Sequence, residues 1–471
     1  MAPYLASVTG GLLMWAAFPP LEWGPLAFVA PAPLVWGLRR IERAGGAIGA
    51  GFLFGVVFFG LMLNWVLVLG AVAWIPLTLW LGITSALLGL VIWLFREWPP
   101  TRFLLLTVGV WALWELARAT VPFGGFPWGL LGYAAGGTPG FIGSVQWVGP
   151  SGWSVLAVAF AVASVLTLED RANWRLVMDS GVVIVLLAIA GGLFPPGPGG
   201  DSMAVAIVQG NSPCPAARCQ NENQRIYESH LALTRTIDEA EVDLVVWPEN
   251  ATATPFEPVG NDEVEAALSA EASRIGAYLL VSGTRRAGLP EGEFLNVNRM
   301  YAPTGEFVGE YWKRHPVPFG EFVPFRDLLD FIPDLDRVPR DMVRGSEATV
   351  FPTPRGTVGS VISFEGAFSR LVRSEAQAGA ELMIVATNES SYGTRSGLPS
   401  DQLIALTRVN AAAVGQDLVH AAITGKSAFI TAAGTVGERT EIFTEALVVG
   451  RVTFRTGART LFTRFGDWVL W

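Results

Sequence analysis

The stretch Gly359-Ser360-Val361-Ile362-Ser363-Phe364-Glu365-Gly366 decides the fold. Its small, apolar, β-branched beginning reads as a buried strand, and the strand ends on a polar residue followed by an aromatic and a carboxylate. A strand that delivers one nucleophile-capable side chain to a sharp exit is a common way to build an acyl-transfer site. Two other stretches point at it. Val245-Val246-Trp247-Pro248-Glu249-Asn250 is a second apolar strand ending in a carboxylate. Tyr311-Trp312-Lys313-Arg314-His315-Pro316-Val317-Pro318-Phe319-Gly320-Glu321-Phe322-Val323-Pro324 is a Pro/Gly/aromatic turn. The chain has two lysines, Lys313 and Lys426, so a lysine inside such a turn points away from a solubility charge.

Of 471 residues, 51% are hydrophobic and 15% charged, where a soluble chain carries about 25% charged residues. The deficit is uneven. Residues 1–199 hold eight arginines, no lysine and seven acids, and the remaining 24 basic and 34 acidic residues follow. The acidic second part argues against nucleic-acid binding, which needs a basic footprint. Eighteen tryptophans, many near the ends of apolar runs, fit interfacial belts.

Apolar runs long enough for a bilayer recur through the first part. They predict about seven spans, at 3–17, 24–38, 47–69, 72–95, 103–117, 151–166 and 177–193. The first run lacks a basic leader and is followed by further spans, so it does not read as a cleaved signal peptide. Arg39, Arg40 and Arg43, then Arg96 and Arg102, then Arg171 and Arg175 fall in alternate loops. The positive-inside rule puts those loops in the cytoplasm and the domain after residue 200 outside it. The loop Phe123-Gly124-Gly125-Phe126-Pro127-Trp128-Gly129 reads either as an interfacial cap or as the lining of a lipid entry path. Glu115 is an intramembrane carboxylate and a functional candidate on that ground, or the i,i+3 partner of Arg118.

Phe194-Pro195-Pro196-Gly197-Pro198-Gly199-Gly200 closes the membrane part. Beyond it, strands are expected at 204–209, 244–247, 278–283, 297–302, 307–311, 359–363, 382–386 and 427–431. Helices are expected at 221–238, 262–275, 368–378 and 401–414. Alternation of apolar strands with helices gives a layered α/β domain. The domains are thus a helical bundle over 1–194, a Pro/Gly linker over 195–203, the α/β domain over 204–456 and a C-terminal segment over 457–471. Cys214 and Cys219 read as a loop pair without chemistry, or as a local disulfide if the domain lies outside the cytoplasm. The histidines His230, His315 and His420 show no metal-ligand spacing with them.

Taken together, the Val-Gln-Gly-Asn, Trp-Pro-Glu and Lys-Arg-His…Pro-Phe-Gly-Glu-Phe-Val-Pro motifs after several spans resemble the apolipoprotein N-acyltransferases, the membrane branch of the nitrilase superfamily. Phe18-Pro19-Pro20, Trp65, Gly125-Phe126-Pro127-Trp128 and Arg464-Phe465-Gly466-Asp467-Trp468 extend the resemblance over nearly the whole chain. It implies a nitrilase-like (CN hydrolase) αββα sandwich on a membrane bundle, in a multi-pass protein of the cell membrane with its soluble domain extracytoplasmic. It also implies a Glu–Lys–nucleophile triad with Glu249 as general base, Lys313 as oxyanion stabiliser and Ser363 as nucleophile. Glu321 occupies the position of the family's second functional glutamate, with Phe364, Glu365 and Asn388 in supporting positions. The implied reaction moves a fatty acyl chain from a phospholipid onto the nucleophile, then onto the N-terminal amine of a lipoprotein's diacylglyceryl-cysteine. No cofactor and no metal are implied.

The sequence departs from the family at the nucleophile, where Cys-Tyr-Glu is replaced by Ser363-Phe364-Glu365. Further departures are Asn388-Glu389-Ser390-Ser391-Tyr392-Gly393 for Asn-Asp-(Ala/Gly)-Trp-Phe-Gly and Gln402-Leu403 for Gln-His. The helix from Arg408 to Gln416 lacks the family's later arginines and glutamate. The chain stops at Trp471, where the family normally enters a final membrane helix. A serine hydroxyl must lose its proton during attack, whereas a cysteine is partly thiolate. Two alternatives therefore stand beside acyl transfer: a weak or silent homologue that binds lipoprotein or lipid, and a membrane-anchored amidase. A serine hydrolase pairing Ser363 with His315 or His420 is a formal fourth reading, without a Gly-x-Ser-x-Gly elbow.

Overall fold

The computed structural model describes residues 1–196, 199–214, 219–329, 331–393, 396–455 and 459–471. Gly197-Pro198 of the predicted linker, residues 215–218 between the cysteines and the predicted boundary at 456–457 lie outside the described residues. Two compact units emerge, Met1–Pro196 with Thr460–Trp471, and Gly197–Arg459.

In the first unit, Ala44–Met62, Ala71–Leu94, Pro100–Thr120, Ile142–Glu169 and Arg171–Leu193 are helical and long and apolar enough to cross a membrane. The first two expected spans are shorter. Ala2–Ala16 has 15 residues, a rise of about 22 Å against a hydrocarbon core of about 30 Å, and Phe18-Pro19-Pro20 follows it. Gly24–Leu38 is a 3₁₀ turn, Gly24–Phe28, followed by the eight-residue helix Pro31–Leu38, because prolines 25, 31 and 33 remove backbone donors. Arg39 Nε and Arg40 Nη1 donate to the two Glu169 oxygens at 2.7 and 2.8 Å, and Arg39 Nη1 donates to the Arg96 carbonyl. The three arginine-bearing loops therefore meet at one end of the bundle.

Glu115 is buried and accepts from Trp111 Nε1 at 3.1 Å, Leu131 N at 2.7 Å and Ser154 Oγ at 2.5 Å. Arg118 donates to the Trp128 and Gly129 carbonyls at 3.0 and 3.3 Å and covers the rings of Phe59 and Trp114. The pair thus ties the helix to the aromatic loop and to neighbouring helices. The C-terminal segment belongs to this unit. Gly149, at φ +67°, breaks its helix ahead of Pro150, and Phe462 packs where a Gly149 side chain would stand. Trp468 Nε1 donates to the Trp147 carbonyl at 2.7 Å.

Among its described residues the second unit has twelve strands: β1 Ser202–Gln209, β2 Leu244–Val246, β3 Tyr278–Arg285, β4 Glu293–Tyr301, β5 Phe307–Trp312, β6 Asp341–Met342, β7 Val350–Thr353, β8 Gly356–Ile362, β9 Leu382–Thr387, β10 Leu418–Ala422, β11 Ala428–Ile430 and β12 Ala446–Thr453. One sheet runs β12-β1-β2-β3-β4-β5 with β6 on β4, and the other β11-β10-β9-β8-β7. β1, β2 and β3 are parallel, as are β8, β9 and β10. Side chains from both sheets, among them Ile207, Val246, Leu280, Tyr311, Ile362, Ile384 and Val419, form one buried core between them. A second core lies between the first sheet and the helices Glu222–Thr234 and Asp262–Ile275. Ser369–Ala378 and Leu398–Val414 are the helices associated with the other sheet. The layering is αββα, as expected.

The eight expected strands and four helices are present, Asp262–Ile275 with its expected bounds and the others with shifted ends, and four strands are additional. β10 went unread because its apolar run is five residues long and carries His420. β12 went unread because it lies at the edge of its sheet, half-exposed and without alternation, and pairs with β1 from the far end of the domain. β6 and β7 are two and four residues long, too short for a periodic signal.

Candidate active site

Parallel strands leave their ligand-facing ends at their C-termini, and the expected residues gather there. Glu249 follows β2, Ser363 follows β8, and Lys313 follows β5. Lys313 and Glu249 are almost completely buried, at 1% and 4% exposure. Lys313 Nζ donates to Glu249 Oε1 at 3.1 Å and to Glu321 Oε1 at 2.7 Å. Asn296 Nδ2 donates to the same two oxygens at 2.7 and 3.3 Å, and Glu321 Oε2 accepts from Val317 N at 2.8 Å. The ammonium is thus fixed between two carboxylates.

That arrangement sets the ionisation. Burial by itself would lower the Lys313 pKa, but Glu249 and Glu321 together overcome it and hold the ammonium charged. Burial raises the Glu249 carboxyl above its ordinary value, Lys313 opposes that, and Glu321 adds to it. Glu249 is therefore a stronger base than a solvated carboxylate, held beside a permanent cation.

Ser363 opens the 3₁₀ turn Ser363–Ala367 directly after β8 with φ +53°. A non-glycine residue in the left-handed region costs on the order of 1–3 kcal/mol and persists where its surroundings impose it. Glu365 imposes it. Its buried carboxylate accepts from Ile362 N at 2.8 Å, Arg314 N at 2.7 Å, His315 N at 2.9 Å and Tyr311 Oη at 2.8 Å. One side chain therefore locks the serine turn to the loop that starts at Lys313. Burial raises the Glu365 pKa, against these donors and Lys313. Phe364 and Phe368 pack on the His315 ring at 5.6 and 4.3 Å. Asn388 Oδ1 accepts from Ser390 N at 2.9 Å and shapes the turn after β9.

Among the described residues, the hydrogen-bond partner of the Ser363 hydroxyl is Thr387 Oγ1, at 3.4 Å. Burial lowers the pKa of both His315 and His420 to about 3, with Arg370 and Arg439 respectively acting the same way. Neither imidazole is engaged with Ser363, so the histidine-dependent serine hydrolase reading has no geometry. Lys426, the other lysine, pairs with Asp401 at 2.8 and 2.9 Å. Cys214 and Cys219 are joined as a disulfide, Cα to Cα 5.9 Å. Sequence reasoning missed Asn296, Thr387 and Glu389. The first had a signal, since Asn296 and Asn298 stand on alternate positions among Leu295, Val297 and Met300 of β4.

Residues 10–163 match the model of the apolipoprotein N-acyltransferase N-terminal domain, and residues 204–458 that of the carbon–nitrogen hydrolases. Apolipoprotein N-acyltransferase of Geobacter metallireducens is 30% identical, with 99% of this chain and 92% of that protein aligned. The chain belongs to the apolipoprotein N-acyltransferase family. The member from Gloeobacter violaceus is 28% identical, with 99% and 91% covered. An amidase of the nitrilase superfamily from Nesterenkonia AN1 overlaps 57% of this chain and 95% of its own, at 18% identity and a TM-score of 0.42. Within the apolipoprotein N-acyltransferases, this chain is an N-acyltransferase-class enzyme with a membrane helical part and a carbon–nitrogen hydrolase domain.

Proposed function

We propose that the chain transfers a fatty acyl group from a phospholipid to the N-terminal amine of a diacylglyceryl-cysteine in lipoproteins, through an acyl ester on Ser363. The observation that carries this reading is the Glu249–Lys313–Glu321 cluster, tied by Glu365 to the Ser363 turn. Glu249 takes a proton as the bond to the acyl carbon forms, and Lys313 stabilises the charge on the acyl oxygen. Expulsion of the glycerol oxygen, with a proton returned to it, leaves the acyl ester. In the second step the amine attacks that ester, its proton passes to Glu249, and the base returns it to Ser363 Oγ as the acyl C–O bond breaks. Glu321 positions the ammonium.

We place the protein in the cell membrane as a multi-pass chain with its second unit extracytoplasmic. The arginine loops meeting at one end of the bundle support this orientation, and so does the Cys214–Cys219 disulfide. An introduced cysteine on the second unit should react with an impermeant thiol reagent in intact cells; labelling only after lysis would reverse the orientation. Ser363 favours one second reading, a homologue that binds lipoprotein without acylating it. The two separate when purified protein is incubated with phospholipid vesicles and a diacylglyceryl lipopeptide. A gain of one acyl mass on the lipopeptide supports transfer, and binding without mass gain supports the second reading.

A further inference from the structure

Two groups next to the proposed nucleophile take no part in the mechanism above. Thr387 closes β9, and its hydroxyl lies 3.4 Å from Ser363 Oγ and 3.1 Å from Glu389 Oε1. The Glu389 carboxylate is buried, and its other oxygen accepts from Ser400 Oγ at 3.0 Å. A side chain at Gly425 would overlap Glu389 Oε2, so the carboxylate occupies a cradle that only a glycine leaves open. Glu249, by contrast, has one oxygen committed to both Lys313 and Asn296. A thiol tolerates a base so engaged, because it is partly ionised beforehand; a hydroxyl does not.

We infer that Ser363, Thr387 and Glu389 form a proton relay that serves a hydroxyl nucleophile in this chain. The inference rests on the proposed acyl-ester mechanism and, in its first step, gives the Ser363 proton to this relay in place of Glu249, which keeps the amine proton of the second step. The single Thr387 proton can go to Ser363 Oγ or to Glu389 Oε1 but not to both; with it on the carboxylate, a lone pair of Thr387 Oγ1 faces the Ser363 hydroxyl. Thr387 gives its proton to Glu389 and takes the Ser363 proton in the same event, while Ser363 Oγ bonds to the acyl carbon. When the glycerol oxygen leaves with its electron pair, Thr387 gives its proton to that oxygen and recovers one from Glu389. Glu389 acts through Thr387 and never touches the acyl donor. Burial raises the Glu389 pKa to about 7, against its bonds from Ser400 and Thr387 and with the charges of Glu249 and Asp401 raising it further. A base of that strength is matched to neutral pH.

The test uses the full-length protein in detergent or vesicles and an alkyl fluorophosphonate, which bonds to an activated serine with loss of fluoride. Native protein should be labelled at Ser363, and Thr387→Val and Glu389→Gln should each slow labelling by roughly 100-fold, the scale of a general base. Thr387→Ser, which restores the hydroxyl, should return labelling to within about threefold of native. The native rate should rise with pH through about 7, and that inflection should vanish in Glu389→Gln. In a Ser363→Cys background, alkylation by iodoacetamide should be indifferent to Thr387→Val. Absence of native labelling, labelling unaffected by Thr387→Val, or a Thr387→Ser variant as slow as Thr387→Val would each overturn the relay. Acyl transfer to lipopeptide, measured in parallel, separates the two claims. Transfer that survives Thr387→Val and Glu389→Gln sinks the relay alone, and relay-dependent labelling without transfer sinks the lipoprotein reading alone.

Discussion

The active-site region has two walls, one from each sheet, and they are made of different chemistry. The wall from β2, β4 and β5 is ionic: Glu249, Lys313 and Glu321 bonded through shared oxygens with Asn296. The wall from β8 and β9 is a chain of hydroxyls ending in a carboxylate, Ser363 to Thr387 to Glu389. Glu365 joins them through four hydrogen bonds. On the proposed mechanism, electrostatic preorganisation and nucleophile activation therefore fall to different walls.

Changes that break one wall and spare the other sharpen this comparison. Ser363→Ala removes the bond-forming atom, so no acyl adduct should appear at that turn by intact-protein mass, while the ionic wall stays folded. Lys313→Ala should slow acyl-ester formation by the roughly 3–4 kcal/mol that an oxyanion donor supplies, read in single-turnover kinetics. Glu249→Gln should be similarly damaging, and full activity in either variant would sink the ionic wall as catalytic. Glu365→Gln places an amide where four donors converge. Since bonds to a charged group contribute about 1.5–3 kcal/mol each, stability should fall by a few kcal/mol in denaturant unfolding, with activity lost alongside. Asn410→Ala should be mildest. Asn410 Nδ2 donates to the Gly366 carbonyl at 2.8 Å beneath the serine turn. Leaving that buried carbonyl unmet costs about 1–3 kcal/mol of stability, with only a several-fold change in rate.

Glu249 and Lys313 of the ionic wall and Ser363 of the hydroxyl wall were legible in the sequence because each carries a local signal. Glu249 and Ser363 end apolar strands, and Lys313 is one of two lysines, set in a Pro/Gly turn. The αββα layering followed from the same alternation of strands and helices. The rest of the hydroxyl wall was not legible. Thr387 reads as an ordinary strand end and Glu389 as drift in a loop, and only the pairing of β8 with β9 brings them beside Ser363. β12 stayed hidden for a related reason, since its partner β1 lies at the opposite end of the domain's sequence. The helices in the first two apolar runs are shorter than those that follow, and in the second the prolines at 25, 31 and 33 divide the run.

The central claim is that this chain acylates a lipopeptide amine through Ser363. Its most direct measurement is the mass of a diacylglyceryl lipopeptide incubated with phospholipid vesicles and either the native protein or Ser363→Ala. A gain of one fatty acyl mass with the native protein, absent with Ser363→Ala, is the result expected. An unchanged lipopeptide with correctly folded native protein, or an equal gain with Ser363→Ala, would contradict it.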